Sequence, residues 1–554
     1  MDEHIWYKSY DNGVSHTIET PEKPIHEILE EKAGISPEQT LLICMNKKIS
    51  FGRLLKNINS FAQSLIDLGV QKNDRICFLL PNLIQFPVVH FAILKIGGIS
   101  VPMNPLLTKH EIEKLIKLSG AKIVLVLDKF YQKVETIRQN SSVEKIIISK
   151  TGDFFPLPYK MLLPFLSNQK RVDYTKPNII SFSKLLKQKD IRFAPVDVSM
   201  DDTAVLLGTG GTTGTPKLAA LSHRNLVANS RQLAEWVVPY YKKGDTMLAA
   251  LPFFHSFGLT IGLHLSSING LKTVMIPRFN VKGILKAIRR YNVNYFPGVP
   301  TMFAAINDYE KSGQYNFSSL KSCISGGFEL NPEVQSKFEK LSRVKIIESY
   351  GLTEATPAAI STPMKGTRKT KSIGVPLPST YAKIVDQETS ENLPVGSIGE
   401  LIIKGPQVMN SYWQNQDETN NTIRNGWLFT GDLARMDEDG YFYIMGRKKE
   451  LIKYCGFNVF PQEVEEALLK HPKVVQAGVT GIKDVKCGEI IKAYIVLNDG
   501  QKVSEQELLE HCKLFVAKYK LPHTIEFAEN LPRNFAGKVL RRQLSELSKS
   551  QKSN

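Results

Sequence analysis

Between Thr203 and His223 the chain reads Thr-Ala-Val-Leu-Leu-Gly-Thr-Gly-Gly-Thr-Thr-Gly-Thr-Pro-Lys-Leu-Ala-Ala-Leu-Ser-His. Gly208, Gly210, Gly211 and Gly214 have no side chain to keep a ligand from the backbone, Thr209, Thr212, Thr213 and Thr215 add hydroxyl donors, and Lys217 adds a mobile positive charge. That chemistry suits phosphate. It is not the G-x-x-x-x-G-K-[ST] phosphate loop, because Pro216 precedes Lys217 and Leu218 follows it. Nor is it the G-x-G-x-x-G dinucleotide loop, because Thr213 stands where the last glycine is required. The competing reading is a flexible Gly/Thr linker, but linkers seldom follow a strand and end in Pro-Lys.

Further stretches carry groups of the same kind. Gly326 and Gly327, in Ser325-Gly-Gly-Phe-Glu-Leu-Asn-Pro-Glu333, let a flat base lie against backbone, and Tyr350 in Ile347-Glu-Ser-Tyr-Gly-Leu-Thr-Glu354 offers an aromatic face for stacking. The Glu354 carboxylate is a hard oxygen ligand of the type magnesium takes. Asp432, presented by Thr430-Gly431, can accept both hydroxyls of a ribose. Each has a bland reading: a turn before a helix for Tyr-Gly-Leu-Thr-Glu, a turn residue for Asp432, a solvated face for Arg447, Lys448, Lys449 and Glu450. His255, in Leu251-Pro-Phe-Phe-His-Ser-Phe-Gly258, reads by itself as a core histidine packed on aromatics.

Taken together, the stretches resemble the adenylate-forming superfamily of acyl-CoA synthetases, luciferases and peptide-synthetase adenylation domains. The resemblance covers the chain from about residue 25 onward and is closest between 372 and 465. The wording Ser372-Ile-Gly-Val-Pro-Leu-Pro-Ser-Thr380 and Gly405-Pro-Gln-Val-Met409 is most like bacterial long-chain fatty acid:CoA ligases. The resemblance implies ATP, Mg²⁺ and CoA as acceptor, with a fatty acid joined first to AMP and then to the thiol. It places Thr209, Gly210, Gly211, Thr212, Thr213, Gly214 and Lys217 on phosphates, and Gly326, Gly327, Tyr350, Gly351 and Thr353 on the adenine and α-phosphate side. It gives the metal to Glu354 and Thr209, and puts His255 beside the carboxylate and acyl pocket. Asp432 and Arg447 go to the nucleotide, Lys449 to the hinge, Lys453, Gly456 and Asn458 to AMP or the pantetheine channel, and Lys538 to catalysis. Leu218 replaces a glycine of relatives, Cys455 stands where some have lysine, and Asn534 and Ala536 depart from the usual loop before Gly537-Lys538. A relative that loads a carrier protein instead of CoA stays open as an alternative, and the departures at Leu218, Asn534 and Ala536 keep open a catalytically silent lipid-binding homologue.

What must position these groups is a large body. At 554 residues the chain exceeds one core, and about 150 residues per domain suggests three or four compact units. Composition is that of a soluble globular protein, 42% hydrophobic and 23% charged, without an apolar run of the roughly 20 residues a membrane span needs. The start, Met1-Asp-Glu-His, lacks a basic and then apolar secretory signal. A cytoplasmic location follows as the expectation, with the inner face of the membrane as a surface that fatty substrates share. The formal charge of +17 is dispersed and lacks nucleic-acid-binding spacing, leaving ATP, CoA and anionic lipid as partners and excluding nucleic acid; a homodimer stays open. Cys44, Cys77, Cys323, Cys455, Cys487 and Cys512 form no C-x-x-C pair, which fits reduced thiols and neither a disulfide framework nor zinc.

The elements follow from pattern. Asp74 to Leu80 reads as a strand, Thr108-Lys-His-Glu111 as a capping box opening a helix that Gly120 stops, and Lys122 to Leu127 as the next strand. That βαβ rhythm predicts an α/β body on mainly parallel sheet. Gly152 to Leu166 interrupts it with Pro156, Pro158 and Pro164, either as a connector packed on the body or as an interfacial patch facing lipid. From Pro461 the pattern becomes α+β: a helix from Pro461, strands at Val474 to Val479 and Ile490 to Val496, and a helix capped by Ser504. With the resemblance, this gives a large N-terminal domain with βαβ subdomains over residues 1–446 and a small mobile α+β lid over 447–554, hinged near Lys449.

Overall fold

In a computed structural model the chain is described over residues 4–155, 172–188, 190–191, 196–209, 216–237, 242, 244–455, 457–484, 486–533, 539–541 and 543–544. Gly210 to Thr215, Gly456, Lys538 and most of the proline-broken 152–166 stretch lie outside these residues. Contacts divide the chain into two compact units, Met1–Tyr381 with Ile403–Leu428, and Ala382–Ile402 with Phe429–Asn554.

The first unit is built on two sheets. The eight-stranded one runs in the order Ser411–Tyr412, Lys217–Ser222, Thr203–Thr209, Ile99–Pro102, Arg75–Leu79, Ile123–Leu127, Lys145–Ser149, Ile179–Ser181. From Thr203–Thr209 onward every neighbour is parallel, and antiparallel pairing is confined to the edge that holds Lys217–Ser222. The nine-stranded sheet is likewise parallel through its middle, from Thr40–Cys44 to Ile346–Gly351. Such strands are covered on both faces and therefore read as unbroken apolar runs: Ile123–Leu127 is Ile-Val-Leu-Val-Leu, buried throughout.

The predicted capping box forms. Glu111 donates its backbone N–H to Thr108 Oγ1 and accepts the Thr108 N–H at 2.8 Å, and the helix Lys109–Ser119 stops at Gly120 in the left-handed region. One apolar cluster joins Leu41 and Leu42 of one sheet and Phe78, Leu125 and Leu207 of the other to helical Phe61, Phe86 and Phe91. Burying each such side chain contributes about 1.5–3 kcal/mol, so the sheets are held mainly through the helices between them.

Ser222 caps the helix His223–Val237 as its sequence implies, accepting the Asn225 N–H. That helix also carries polar side chains inward. Asn229 donates to the Ala358 carbonyl at 2.7 Å, and Gln232 donates to the Pro378 carbonyl at 2.9 Å and to Gln407 Oε1 at 3.0 Å. These bonds fasten the 372–380 and 405–409 stretches, whose wording carries the resemblance, to the body. Leu218 is a core residue, 2% exposed and packed with Leu206 and Ala220.

The second unit has its own core. Its C-terminal sheet has the order Phe457–Val459, Ile452–Tyr454, Gly488–Leu497, Val474–Asp484, with Thr524–Phe527 on the far side of Gly488–Leu497, and a separate sheet includes the paired strands Trp427–Met436 and Phe442–Arg447. Helices Pro461–Leu469 and Glu505–Cys512 bury Val464, Leu468 and Leu508 against Ile491 and Ile495. Ser504 caps the latter helix, accepting the Glu507 N–H at 3.1 Å. Strand Val474–Asp484 runs past the expected end at Val479, because Thr480 to Asp484 pair with Lys492 to Gly488, a gain their mixed polarity does not advertise.

One expectation is corrected. Cys455 and Cys487 are joined by a disulfide, while Cys44, Cys77, Cys323 and Cys512 are buried thiols. The two cysteines are 32 residues apart and meet because Tyr454 pairs with Gly488, which brings their turns together. Among the described residues no helix is long and apolar enough to cross a membrane.

Candidate active site

The phosphate-type loop is held at both ends. Strand Thr203–Thr209 pairs antiparallel with Lys217–Ser222, and Thr209 lies directly opposite Lys217. Lys217 is thereby fixed at the mouth of the 210–215 segment. Its ammonium is paired with Glu418 and lies 5.2 Å from the Tyr412 ring centre. Tyr412 in turn donates its hydroxyl to Glu354 Oε1 at 2.7 Å. Glu354 is also tied through its backbone, its carbonyl accepting the Met409 N–H at 2.8 Å. Two sequence-marked groups 137 positions apart, Lys217 and Glu354, thus meet on one side chain that the sequence reading passed over.

Near Glu354 lie other marked residues of the first unit. Gly326 and Tyr350 sit at the ends of adjacent parallel strands, with Gly326 opposite Ser349. Gly351 has to be glycine: a Cβ there would lie 1.8 Å from the Pro357 carbonyl oxygen. Gly327 has φ +91°, a region side chains disfavour. The Thr353 hydroxyl lies 3.5 Å from Ser256 Oγ, which puts the strand end beside the segment of His255. Burial pushes the His255 imidazole down to about 4, so the ring is neutral near pH 7.

A cleft of about 440 Å³ opens beside the same strand, lined by Glu348, Glu339, Arg368, Lys369, Gln335 and Ser336. It contains none of the sequence-marked residues. Burial, reinforced by Glu329, pushes the Glu348 carboxyl up to about 7. Unfolded, this group releases its proton near pH 4.5, so between there and pH 7 the folded state holds the extra proton and stability falls as pH rises. Glu348→Gln is predicted to raise stability at pH 8 by about 2–3 kcal/mol and to change it little at pH 4. Urea unfolding at the two pH values checks this, and equal effects at both would refute the burial argument.

In the second unit Asp432 and Arg447 face each other across paired strands, joined at 2.6 Å. Asp432 is 4% exposed, and its N–H is donated to Thr430 Oγ1, which itself donates to the Leu401 carbonyl. Thr430-Gly431 therefore presents the carboxylate from a fixed point within strand Trp427–Met436, where Gly431 has φ +70°. Lys449 is exposed on the short turn Lys448–Glu450, where Glu450 pairs with Arg541. Lys453 and Asn458 are opposite one another on the hairpin Ile452–Tyr454/Phe457–Val459, both exposed.

A family model described as the AMP-binding enzyme matches residues 29–413, and one described as its C-terminal domain matches 463–538. The chain belongs to the AMP-binding enzyme family. This AMP-binding family member is 38% identical over 545 residues to the long-chain-fatty-acid–CoA ligase of Bacillus subtilis (strain 168), covering 98% of this chain and 97% of that one. Among solved structures it is similar to ATP-bound MatB from Rhodopseudomonas palustris, at TM-score 0.84 and 27% identity over 95% of this chain and 99% of that one. It is also similar to o-succinylbenzoate coenzyme A synthetase from Bacillus subtilis in complex with ATP and magnesium ion, at TM-score 0.79 and 29% identity over 94% and 99%. The C-terminal match ends at Lys538 itself.

Proposed function

We propose that this AMP-binding enzyme is an ATP-dependent fatty acid:CoA ligase that joins the acid to AMP, releases pyrophosphate, and passes the acyl group to CoA with release of AMP. The observation that carries the reading is the meeting of Lys217 and Glu354 on Tyr412, with Lys217 paired to Thr209. A carboxylate is a poor acyl donor because its leaving group would be oxide, whereas AMP leaves readily from a mixed anhydride. The first step therefore needs in-line attack on the α-phosphate while negative charge gathers on its oxygens and on pyrophosphate, which positioned cations and donors stabilise.

Each residue then has a task. Thr209, the 210–215 loop and Lys217 grip the triphosphate, and Lys538 neutralises charge at the reacting phosphorus. Gly326, Gly327, Tyr350 and Gly351 bed the adenine, Thr353 meets the α-phosphate, and Asp432 accepts the ribose hydroxyls beside Arg447. Glu354 suits Mg²⁺ because it presents hard oxygen, Oε1 being steadied by Tyr412 and Oε2 accepting no hydrogen bond among the described residues. Thr209 is the second metal-facing oxygen. Bound there, the metal supplies charge neutralisation at the phosphates. His255 lines the acyl carboxylate as a neutral ring. For the second step the small unit supplies Lys453, Gly456 and Asn458 to the incoming pantetheine, with Lys449 as the hinge and residues 447–554 as the lid.

The test is AMP and pyrophosphate production across a panel of short- to long-chain acids, with and without CoA. Thioester is expected only when CoA is present, with medium to long chains preferred. Pyrophosphate release without any CoA thioester would identify a carrier protein as the true acceptor, and no release with any acid would refute the reading. On this reading the enzyme works in the cytoplasm. Contact with the inner face of the membrane is tested by sedimentation with anionic liposomes.

A further inference from the structure

Tyr412 lies outside every stretch the sequence marks for chemistry, yet it touches two of the marked groups. Its placement is over-determined. Strand Ser411–Tyr412 lies along Lys217–Ser222, with Tyr412 opposite Ala219, two residues beyond Lys217. Its backbone N–H is donated to Thr419 Oγ1 at 2.9 Å, and Thr419 donates to the Asn415 carbonyl at 2.8 Å. Asn415 also caps the helix Gln416–Thr422, accepting the Glu418 N–H at 3.1 Å, and so aims the carboxylate that pairs with Lys217. One short strand and one short helix therefore set both partners.

The chemistry of the contacts is specific. A glutamate's terminal torsion is broad and nearly two-fold, so an unrestrained carboxylate spreads over orientations. The Tyr412 hydroxyl, at 2.7 Å from Glu354 Oε1, selects one of them and leaves Oε2 directed elsewhere. A hydrogen bond to a charged acceptor is of the stronger kind. The Lys217 side chain is 13% exposed, and a cation so enclosed needs a counter-charge, which Glu418 provides with the Tyr412 ring against it. A triphosphate offers more negative charge than one carboxylate, so the flexible lysine can transfer to it without leaving the Tyr412 face.

We propose that Tyr412 is a positioning residue of the adenylation step, holding the Glu354 carboxylate in its metal-receiving orientation and the Lys217 stem at the phosphates. This rests on the roles proposed above for Glu354 and Lys217. It acts through them and touches no reacting atom.

The test uses the full-length enzyme and the substitution Tyr412→Phe, which keeps the ring and removes only the hydroxyl. Expected results are an about tenfold rise in the Mg²⁺ concentration at half-maximal pyrophosphate release, and an about tenfold weaker equilibrium binding of Mn²⁺·ATP read by electron paramagnetic resonance without fatty acid. The KM for fatty acid and the transfer of supplied acyl adenylate to CoA stay within twofold of wild type. Glu354→Ala is measured in parallel. If it keeps the wild-type metal response, the assignment of Glu354 falls and takes this inference with it. If Glu354→Ala loses the response while Tyr412→Phe keeps wild-type half-saturation and Mn²⁺ signal, only the positioning role is overturned. A Tyr412→Phe enzyme that melts earlier but shows unchanged metal parameters likewise overturns it.

Discussion

Lys538→Ala is expected to slow fatty acid-dependent pyrophosphate release by about 10²–10³-fold, the cost of removing one well-placed donor to developing negative charge. Supplied acyl adenylate should still pass to CoA within a few-fold of the wild-type rate. The asymmetry follows from the charge in each step. Forming the anhydride brings a carboxylate against a triphosphate, so a cation there stabilises the transition state more than the ground state. In the transfer step the leaving group is AMP and no triphosphate charge builds up, so on the proposed role the lysine is not required there. Single-turnover measurements of the two half-reactions separate them. Equal loss in both would mean that Lys538 serves folding or binding in general, and no loss in the first would remove its assignment.

The second large effect is on stability toward acid. His26, His90, His223 and His264 are all buried in the first unit. His90 lies between Ser100 Oγ at 2.8 Å and His264 Nε2 at 2.9 Å, an arrangement in which one imidazole nitrogen donates and the other accepts. The His26 and His223 rings are 5.7 Å apart. Burial pushes His223 down to about 4 and His264 down to about 3, and holds His26 and His90 well below the usual histidine range; neighbouring histidines add to the effect for His26, His90 and His264. The unfolded chain binds protons from about pH 6.5 downward, whereas the folded chain does not until these lower values. The stability these histidines contribute is therefore complete above pH 6.5 and is lost as pH falls toward 4. Lowering a pKa by one costs about 1.4 kcal/mol at acid pH, so one such histidine costs on the order of 3 kcal/mol, and several that titrate together approach the whole stability of a typical fold. Urea midpoints at pH 7.5, 5.5 and 4.5 should fall steeply, and the double replacement His90→Phe, His264→Leu should flatten the fall. A double variant as acid-labile as wild type would show that other groups carry the loss.

Legibility differs between elements for physical reasons. The Thr108–Glu111 capping box, the Gly120 stop and the Ser504 cap are readable because they are local hydrogen bonds between residues a few positions apart. The parallel strands are readable because burial on both faces demands continuous apolar residues. Strand Val474–Asp484 reads short because its second half is held by register with a partner strand and not by its own apolar pattern. Cys455 and Cys487 read as separate thiols for the same reason, their meeting being a consequence of strand pairing. Tyr412 escapes the sequence entirely: Glu354 is 58 residues away, and no spacing rule reaches so far.

What the amino-acid order determined by itself is the chemistry on offer: glycines that bare a backbone, hydroxyls and a lysine beside them, a hard carboxylate, and the short-range signals that start and stop helices. Those properties belong to individual residues and their near neighbours, so they survive without a fold. Only the tertiary structure decided which groups meet. Laying Ser411–Tyr412 against Lys217–Ser222 placed one phenol between a lysine and a glutamate, and closing two sheets over buried helices stripped water from four histidines. Contacts of that range depend on sheet register and desolvation, which are properties of the packed chain and not of any stretch within it.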